Sequence, residues 1–244
     1  MPITEFLVNN AKNYKNEVAL VEINPEIQEK NRQTWREYSL IETNPFNIGR
    51  TELTWGDFDK RANRFANLLL SRGIKKGDRV AILLMNGIEW LPIYFGILKT
   101  GALAVPLNYR YTAEEIKYCL KLSDSDVLVF GPEFTGRVEQ ISHRIPDIKY
   151  TFYVGEDCPT FAESYDRLVT YCSSHDPSIT ITDEDEAAVY FSSGTTGFPK
   201  GVMLTHRNIV NNGKTIGDRM DLSTADRMMI QVPMFHCFGM VLSM

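Results

Sequence analysis

The chain has 244 residues, with 26 Lys plus Arg against 31 Asp plus Glu for a formal net charge of −5, 43% hydrophobic residues and 23% charged ones. At roughly 150 residues per domain this is one large domain or two small ones, apolar enough to bury a core, so a disordered chain is excluded. The acidic balance, with no Lys/Arg-rich block, argues against a nucleic-acid surface resting on bulk charge.

The start of the chain, residues 1–10, carries Glu5 and has no basic stretch ahead of Phe6, Leu7 and Val8, which does not fit a secretory signal. The first clear helix opens at Thr54, whose hydroxyl can cap it with Asp57 in the first turn. Phe58, Ala62, Phe65, Ala66 and Leu69 follow at helical spacing, and Gly73 ends it. Between an early strand at 18–23 and this helix, residues 24–50 are long, polar and charged, and read as a surface excursion. Residues 79–84 form a strand-length apolar run. Residues 89–100 read as a helix, with Pro92 tolerated because it falls in the first turn. The apolar stretch 90–107 is broken by Lys99, Pro92, Gly96, Gly101 and Pro106, and makes a poor bilayer span.

Residues 103–106 are the next strand. Thr112 with Glu115 forms a capping box opening a helix to about residue 122, and 126–130 is a strand closed by Gly131-Pro132. The rhythm repeats with a helix at 133–145, a strand at 150–154 and a helix at 161–172. Residues 173–186 are a polar loop. Beyond it come a strand at 187–191, a Gly-rich loop, an extended run at 202–205, a helix from about residue 207 and a strand at 228–232. Alternating strands and helices predict an α/β fold, doubly wound around mostly parallel sheets with flanking helices, where ligands sit at the carboxyl ends of strands. The polar loop divides it into a first α/β subdomain, 1–186, and the start of a second, 187–244.

The four cysteines, Cys119, Cys158, Cys172 and Cys237, form no C-x-x-C pair. They suggest neither a zinc site nor a disulfide framework and fit a reduced, cytoplasmic setting. The chemistry is concentrated after the 187–191 strand, in Ser192-Ser193-Gly194-Thr195-Thr196-Gly197-Phe198-Pro199-Lys200-Gly201. Glycines let backbone N–H groups converge on an anion, while hydroxyls and one ammonium add donors for phosphate oxygens. A generic Ser/Thr/Gly turn would share this composition, but not the ordered string with Pro-Lys-Gly at its end. Nor is it a Walker A loop: Gly201, not a hydroxyl residue, follows Lys200, and the next residues are β-like.

At these residues the chain resembles the adenylate-forming (AMP-binding) superfamily, in its acyl-CoA synthetase, or fatty-acid–CoA ligase, version. The segment 192–201 is similar to that family's phosphate-loop signature. Leu53-Thr54-Trp55, Leu98-Lys99-Thr100-Gly101-Ala102 with Val105-Pro106-Leu107-Asn108, Met203-Leu204-Thr205-His206-Arg207-Asn208 and Pro233-Met234-Phe235-His236 resemble further motifs of the family. The resemblance implies a two-step ligation. A carboxylate attacks the α-phosphorus of MgATP, giving an acyl adenylate and pyrophosphate, and a thiol, commonly that of coenzyme A, then displaces AMP. It also implies that Ser192, Ser193, Gly194, Thr195, Thr196, Gly197 and Lys200 hold the β- and γ-phosphates. Thr195 is the residue implied to touch Mg²⁺, since a hydroxyl oxygen suits that hard ion.

His236, a lone histidine among apolar residues, would ordinarily be a core residue. The resemblance instead places it beside the acyl carboxylate and the thiol channel, as the catalytic candidate. His206, beside Asn208 at a strand-to-helix junction, reads as structural, and His143 and His175 receive no role. Phe235 is followed by His236, Cys237 and Phe238 rather than an Asp that would pair a substrate ammonium, which favours an uncharged acyl or aryl acid. Met234, Phe238, Met240 and Leu242 suit either a pocket lining or core packing.

The family's Tyr-Gly-x-Thr-Glu motif, its S-G-D segment, the hinge and the C-terminal domain with the adenylation lysine are absent from these 244 residues. The expectation is therefore an N-terminal part of such an enzyme, unable alone to complete catalysis, ending in an apolar run that could support a homo-oligomer. Alternatives are a non-catalytic adenine-nucleotide-binding module, an adenylation domain loading a carrier protein, and a scaffold fragment.

Overall fold

The computed structural model describes residues 1–23, 49–192 and 199–242. Its centre is a seven-stranded sheet built from β3 (Arg79–Leu83), β4 (Leu103–Pro106), β5 (Val127–Phe130), β6 (Tyr150–Tyr153), β7 (Glu163–Ser164), β8 (Glu186–Ser192) and β9 (Lys200–Thr205), in the order β7-β6-β5-β3-β4-β8-β9. All neighbours are parallel except β9, which runs antiparallel to β8. The expected doubly wound α/β class is the one observed. The chain leaves β3 for β4 on one side and then crosses back to β5 on the other, so the winding reverses at β3. In such sheets ligands gather at the carboxyl ends of the strands.

The central strands are apolar at nearly every position because both faces are covered. Val80, Ile82, Ala104, Val127 and Val129 face α2 (Trp55–Ser71) and α3 (Trp90–Lys99), while Ala81, Leu83, Leu103, Val105, Leu128 and Phe130 face α4 (Ala113–Leu122) and α5 (Thr135–Ile141). Helix α3 is buried along its whole length. Gly96 allows its close approach to α2, since a Cβ there would stand 2.9 Å from the Ala62 carbonyl oxygen. The one charge on α3, Lys99, is buried and sits between Asp59 of α2 at 2.9 Å and Asp176 at 2.8 Å, a paired state that a buried ammonium requires. Asn63 and Asn67 of α2 donate to the Ser174 and Ser173 carbonyls, so the polar loop after residue 172 is held to this helix.

Two helix starts form as expected: Thr54 accepts from the Asp57 amide, and Thr112 forms a full capping box with Glu115. Thr205, a cap the sequence did not announce, forms another with Asn208. Other expectations change. Residues 1–10, read for targeting only, belong to α1 (Ile3–Asn13), which packs Ile3 and Leu7 into the core. The strand β1 (Val18–Ile23) pairs antiparallel with β2 (Arg50–Thr54), a strand the sequence did not announce. Most of the 24–50 excursion, residues 24–48, lies outside the described residues. The helix expected at 133–145 is α5 with a 3₁₀ turn at each end, and that expected at 161–172 gives its start to β7, leaving α6 (Tyr165–Thr170).

The expected strand at 228–232 is not a strand. Among the described residues no strand pairs with it, Met228 and Met229 are exposed, and one side-chain bond from elsewhere, Asn86 to the Val232 carbonyl, reaches it. After it, α7 (His206–Arg219) having preceded, the chain closes on α8 (Cys237–Leu242). The sheet runs across the division expected at 186/187, because β8 pairs with β4 at Ala188 and Ala104 and with β9 along most of its length. Among the described residues no helix is long and apolar enough to cross a membrane.

Candidate functional site

Strand β8 is buried at residues 187–190 and emerges at Ser192, which is exposed at the carboxyl end of the sheet. The chain returns as β9 with Lys200 paired to Ser192, and the Ser192 hydroxyl lies 3.5 Å from the Lys200 carbonyl oxygen. Both ends of the loop are therefore brought together by a β-ladder, and both side chains are exposed. Ser193, Gly194, Thr195, Thr196 and Gly197 lie outside the described residues. Gly201 has a local reason to be glycine, since a Cβ there would stand 3.1 Å from Val189 Cγ1 on the paired strand.

Beneath the loop, the buried Tyr190 hydroxyl lies 3.4 Å from that of Tyr94 on α3. Burial pushes both phenols up, so neither supplies a charge at neutral pH.

His236 is exposed, not a core residue. Its backbone N–H donates to the Pro233 carbonyl at 3.2 Å, closing a turn, and its Nδ1 accepts the Phe238 N–H at 3.2 Å. That acceptor role assigns the proton of the neutral ring to Nε2. Phe235 meets Tyr109, just past β4, edge to face with centroids 5.0 Å apart. Arg137 of α5 in turn donates to the Tyr109 and Tyr111 carbonyls at 2.6 and 2.9 Å. Gly239 lies directly against the Pro233 carbonyl, where a Cβ would collide with it. Met234 and Met240 pack into the core, whereas Phe238 is exposed. The side chain of Leu242 lies outside the described residues.

His206 takes the structural place expected of it. It is the first residue of α7, almost fully buried, and burial lowers its pKa to about 4, with Asp185 opposing. Its Nδ1 has no partner among the described residues. All four cysteines are free, and the described residues include no cluster of His, Cys, Asp and Glu able to hold a metal.

Residues 7–244 match the family model described as AMP-binding enzyme. The chain belongs to that family. It is 36% identical over 213 residues to a putative acyl-CoA synthetase, YngI, of Bacillus subtilis (strain 168), covering 78% of this chain and 39% of that protein. Over 185 residues it is 32% identical to the long-chain-fatty-acid–CoA ligase FadD13 of Mycobacterium tuberculosis (strain ATCC 25618 / H37Rv), covering 75% of this chain and 36% of the relative. Among solved structures, the inhibitor-bound N-terminal domain of FACL13 from Mycobacterium tuberculosis superposes with a TM-score of 0.80 at 26% identity, over 99% of this chain and 54% of that one. A Mycobacterium tuberculosis fatty acyl CoA synthetase gives a TM-score of 0.80 at 24% identity, over 99% and 42%, and shares the fold. The chain spans about two fifths or less of the length of these two curated relatives.

Proposed function

We propose that this chain supplies the triphosphate-binding part of an AMP-forming acid–thiol ligase that activates an uncharged acyl or aryl acid and transfers it to coenzyme A. One observation carries the reading: the Ser- and Thr-rich loop is closed by the Ser192–Lys200 pair at the carboxyl edge of a parallel sheet, within a chain matched by the family model from residue 7 to 244. The names of the relatives, acyl-CoA synthetase and long-chain-fatty-acid–CoA ligase, support the same reaction class.

In this reading Ser192, Ser193, Gly194, Thr195, Thr196, Gly197 and Lys200 hold the β- and γ-phosphates of MgATP. The Thr195 hydroxyl would hold the Mg²⁺ that accompanies the nucleotide, which would supply charge neutralisation to the phosphates. Fixed donors neutralise the departing pyrophosphate where its charge develops. His236, with Nδ1 held by the Phe238 amide and Nε2–H outward, donates toward the acyl carboxylate oxygen. The exposed Phe238 offers apolar surface and no counter-charge, which suits an acid without an ammonium group. Because the Tyr-Gly-x-Thr-Glu motif is absent from these residues, the chain binds nucleotide phosphates without completing the ligation.

The test is calorimetric titration of MgATP into the chain, paired with ATP–pyrophosphate exchange in the presence of fatty and aryl acids. Binding that weakens about tenfold in Lys200→Ala, the effect of losing one charged hydrogen bond, with no exchange, is the expected outcome. Nucleotide binding indifferent to Lys200→Ala would sink the loop assignment. Exchange at rates ordinary for such enzymes would overturn the incompetence of this chain.

A further inference from the structure

We propose that Asn86 is a positioning residue of the acyl site, acting through the backbone that carries His236. Its Nδ2 donates to the Val232 carbonyl at 2.8 Å and its Oδ1 accepts the Met234 N–H at 2.9 Å. The two bonded peptide groups flank Pro233, which has no N–H of its own to offer. The carbonyl of that same Pro233 accepts the His236 N–H and is the surface on which Gly239 rests. Fixing residues 232 and 234 therefore fixes the acceptor that shapes the His236 turn.

A carboxamide satisfies both groups at once, because it presents a donor and an acceptor side by side. Asp would lose the donor, and an aliphatic residue would lose both. The side chain makes its bonds to residues 146 and 148 positions away. They stand in for the missing ladder of the 228–232 segment. Asn86 also lies just past β3, the strand at which the winding reverses, where a doubly wound sheet places its ligand crevice. The second support of the turn, Phe235 on Tyr109, is independent of Asn86 and keeps the segment near the sheet when the carboxamide is removed.

The catalytic meaning of this hold rests on the function proposed above, so the experiment has two arms on the full chain. In the first, the histidine Cε1–H signals are followed by NMR, with His236 assigned through His236→Gln. Asn86→Ala and Asn86→Asp should shift the His236 signal while the buried His206 signal stays in place. In the second, MgATP and a non-hydrolysable acyl-sulfamoyl adenosine are titrated into each variant. Loss of the clamp should weaken the acyl-adenylate analogue about tenfold and leave MgATP affinity within about twofold, because only the former reaches the His236 turn.

A merely structural role would weaken both ligands together and move both histidine signals, and that result would overturn the proposal, as would an unmoved His236 signal. Analogue binding that is equally tight in the wild-type chain and in Asn86→Ala defeats this inference alone. Wild-type chain that binds neither ligand defeats the functional reading, and the acyl role of Asn86 with it.

Discussion

His206 gives the sharpest stability prediction. In the unfolded chain its pKa is the ordinary 6.5, and burial lowers it to about 4 in the folded protein. A histidine whose folded pKa is depressed stabilises the fold when neutral, so its contribution is complete above pH 6.5 and is lost as pH falls toward 4, where the unfolded chain binds the extra proton. At about 1.36 kcal/mol per pH unit the difference reaches ~3 kcal/mol, an upper bound because local rearrangement can hydrate the ring before the whole chain unfolds. Asp176, Asp183 and Asp185 have carboxyls held below 3.8, with Lys99, Arg207 and Lys76 respectively among the causes. Their contribution is present above the unfolded carboxylate pKa and fades only below about pH 4, so the window between 4.5 and 6.5 belongs largely to His206. The assay is urea unfolding of the wild-type chain and His206→Gln at intervals across that window. The variant cannot charge, so its stability should fall less steeply with acid, and the two curves should converge toward pH 4.5. Parallel curves would refute the reasoning, whatever the absolute cost of the substitution.

Two further substitutions test the packing that holds the site. Lys99→Met leaves Asp59 without its ammonium and should cost about 3 kcal/mol in denaturant unfolding, the low end for breaking a buried pair because Asp176 is half-exposed. Lys99→Met with Asp59→Leu should recover part of that loss, and a cost below about 1 kcal/mol for the single change would show that the triad is not buried in solution. Gly239→Ala drives a Cβ into the Pro233 carbonyl and should cost about 1–3 kcal/mol, lowering Tm by several degrees. Gly136→Ala, where an added Cβ meets nothing within 4 Å, should not lower Tm at all, and equal effects at the two glycines would remove the steric argument.

The parts of the fold legible in the sequence are those decided by neighbours in the chain. Thr54 and Thr112 cap helices because their hydroxyls need only an amide in the next turn, and the runs that became β3, β4 and β5 are apolar at nearly every position because the sheet is covered on both faces. What was misread depends on distant partners. Residues 228–232 have a strand's composition but no strand beside them, and β2 is a strand only because β1 lies across from it. The site divides in the same way. The order of Ser192 to Gly201 is a local signal and was readable, whereas the surroundings of His236 come from Asn86, Tyr109 and Arg137 on three separate elements. The reach of Asn86 had no local signal, because its partners lie 146 and 148 positions away.

That division bears on how the site is assembled. The loop ends are tied by a β-ladder that forms as soon as β8 and β9 pair, so Ser192 and Lys200 are placed by short-range structure. The His236 turn has no ladder. Its backbone is held from outside by the Asn86 carboxamide and the Phe235–Tyr109 contact, with Met234 and Met240 packed in the core beneath. The function proposed above, gripping a triphosphate first and then admitting acids of differing shape, is served by that asymmetry. The loop ends stay fixed by the antiparallel β8–β9 ladder, while the histidine segment rests on a few contacts that can be exchanged without disturbing the sheet. Changes of acid preference should therefore map to residues 86, 109 and 232–239 rather than to the loop, and substitutions there should alter acid selection at nearly constant nucleotide affinity.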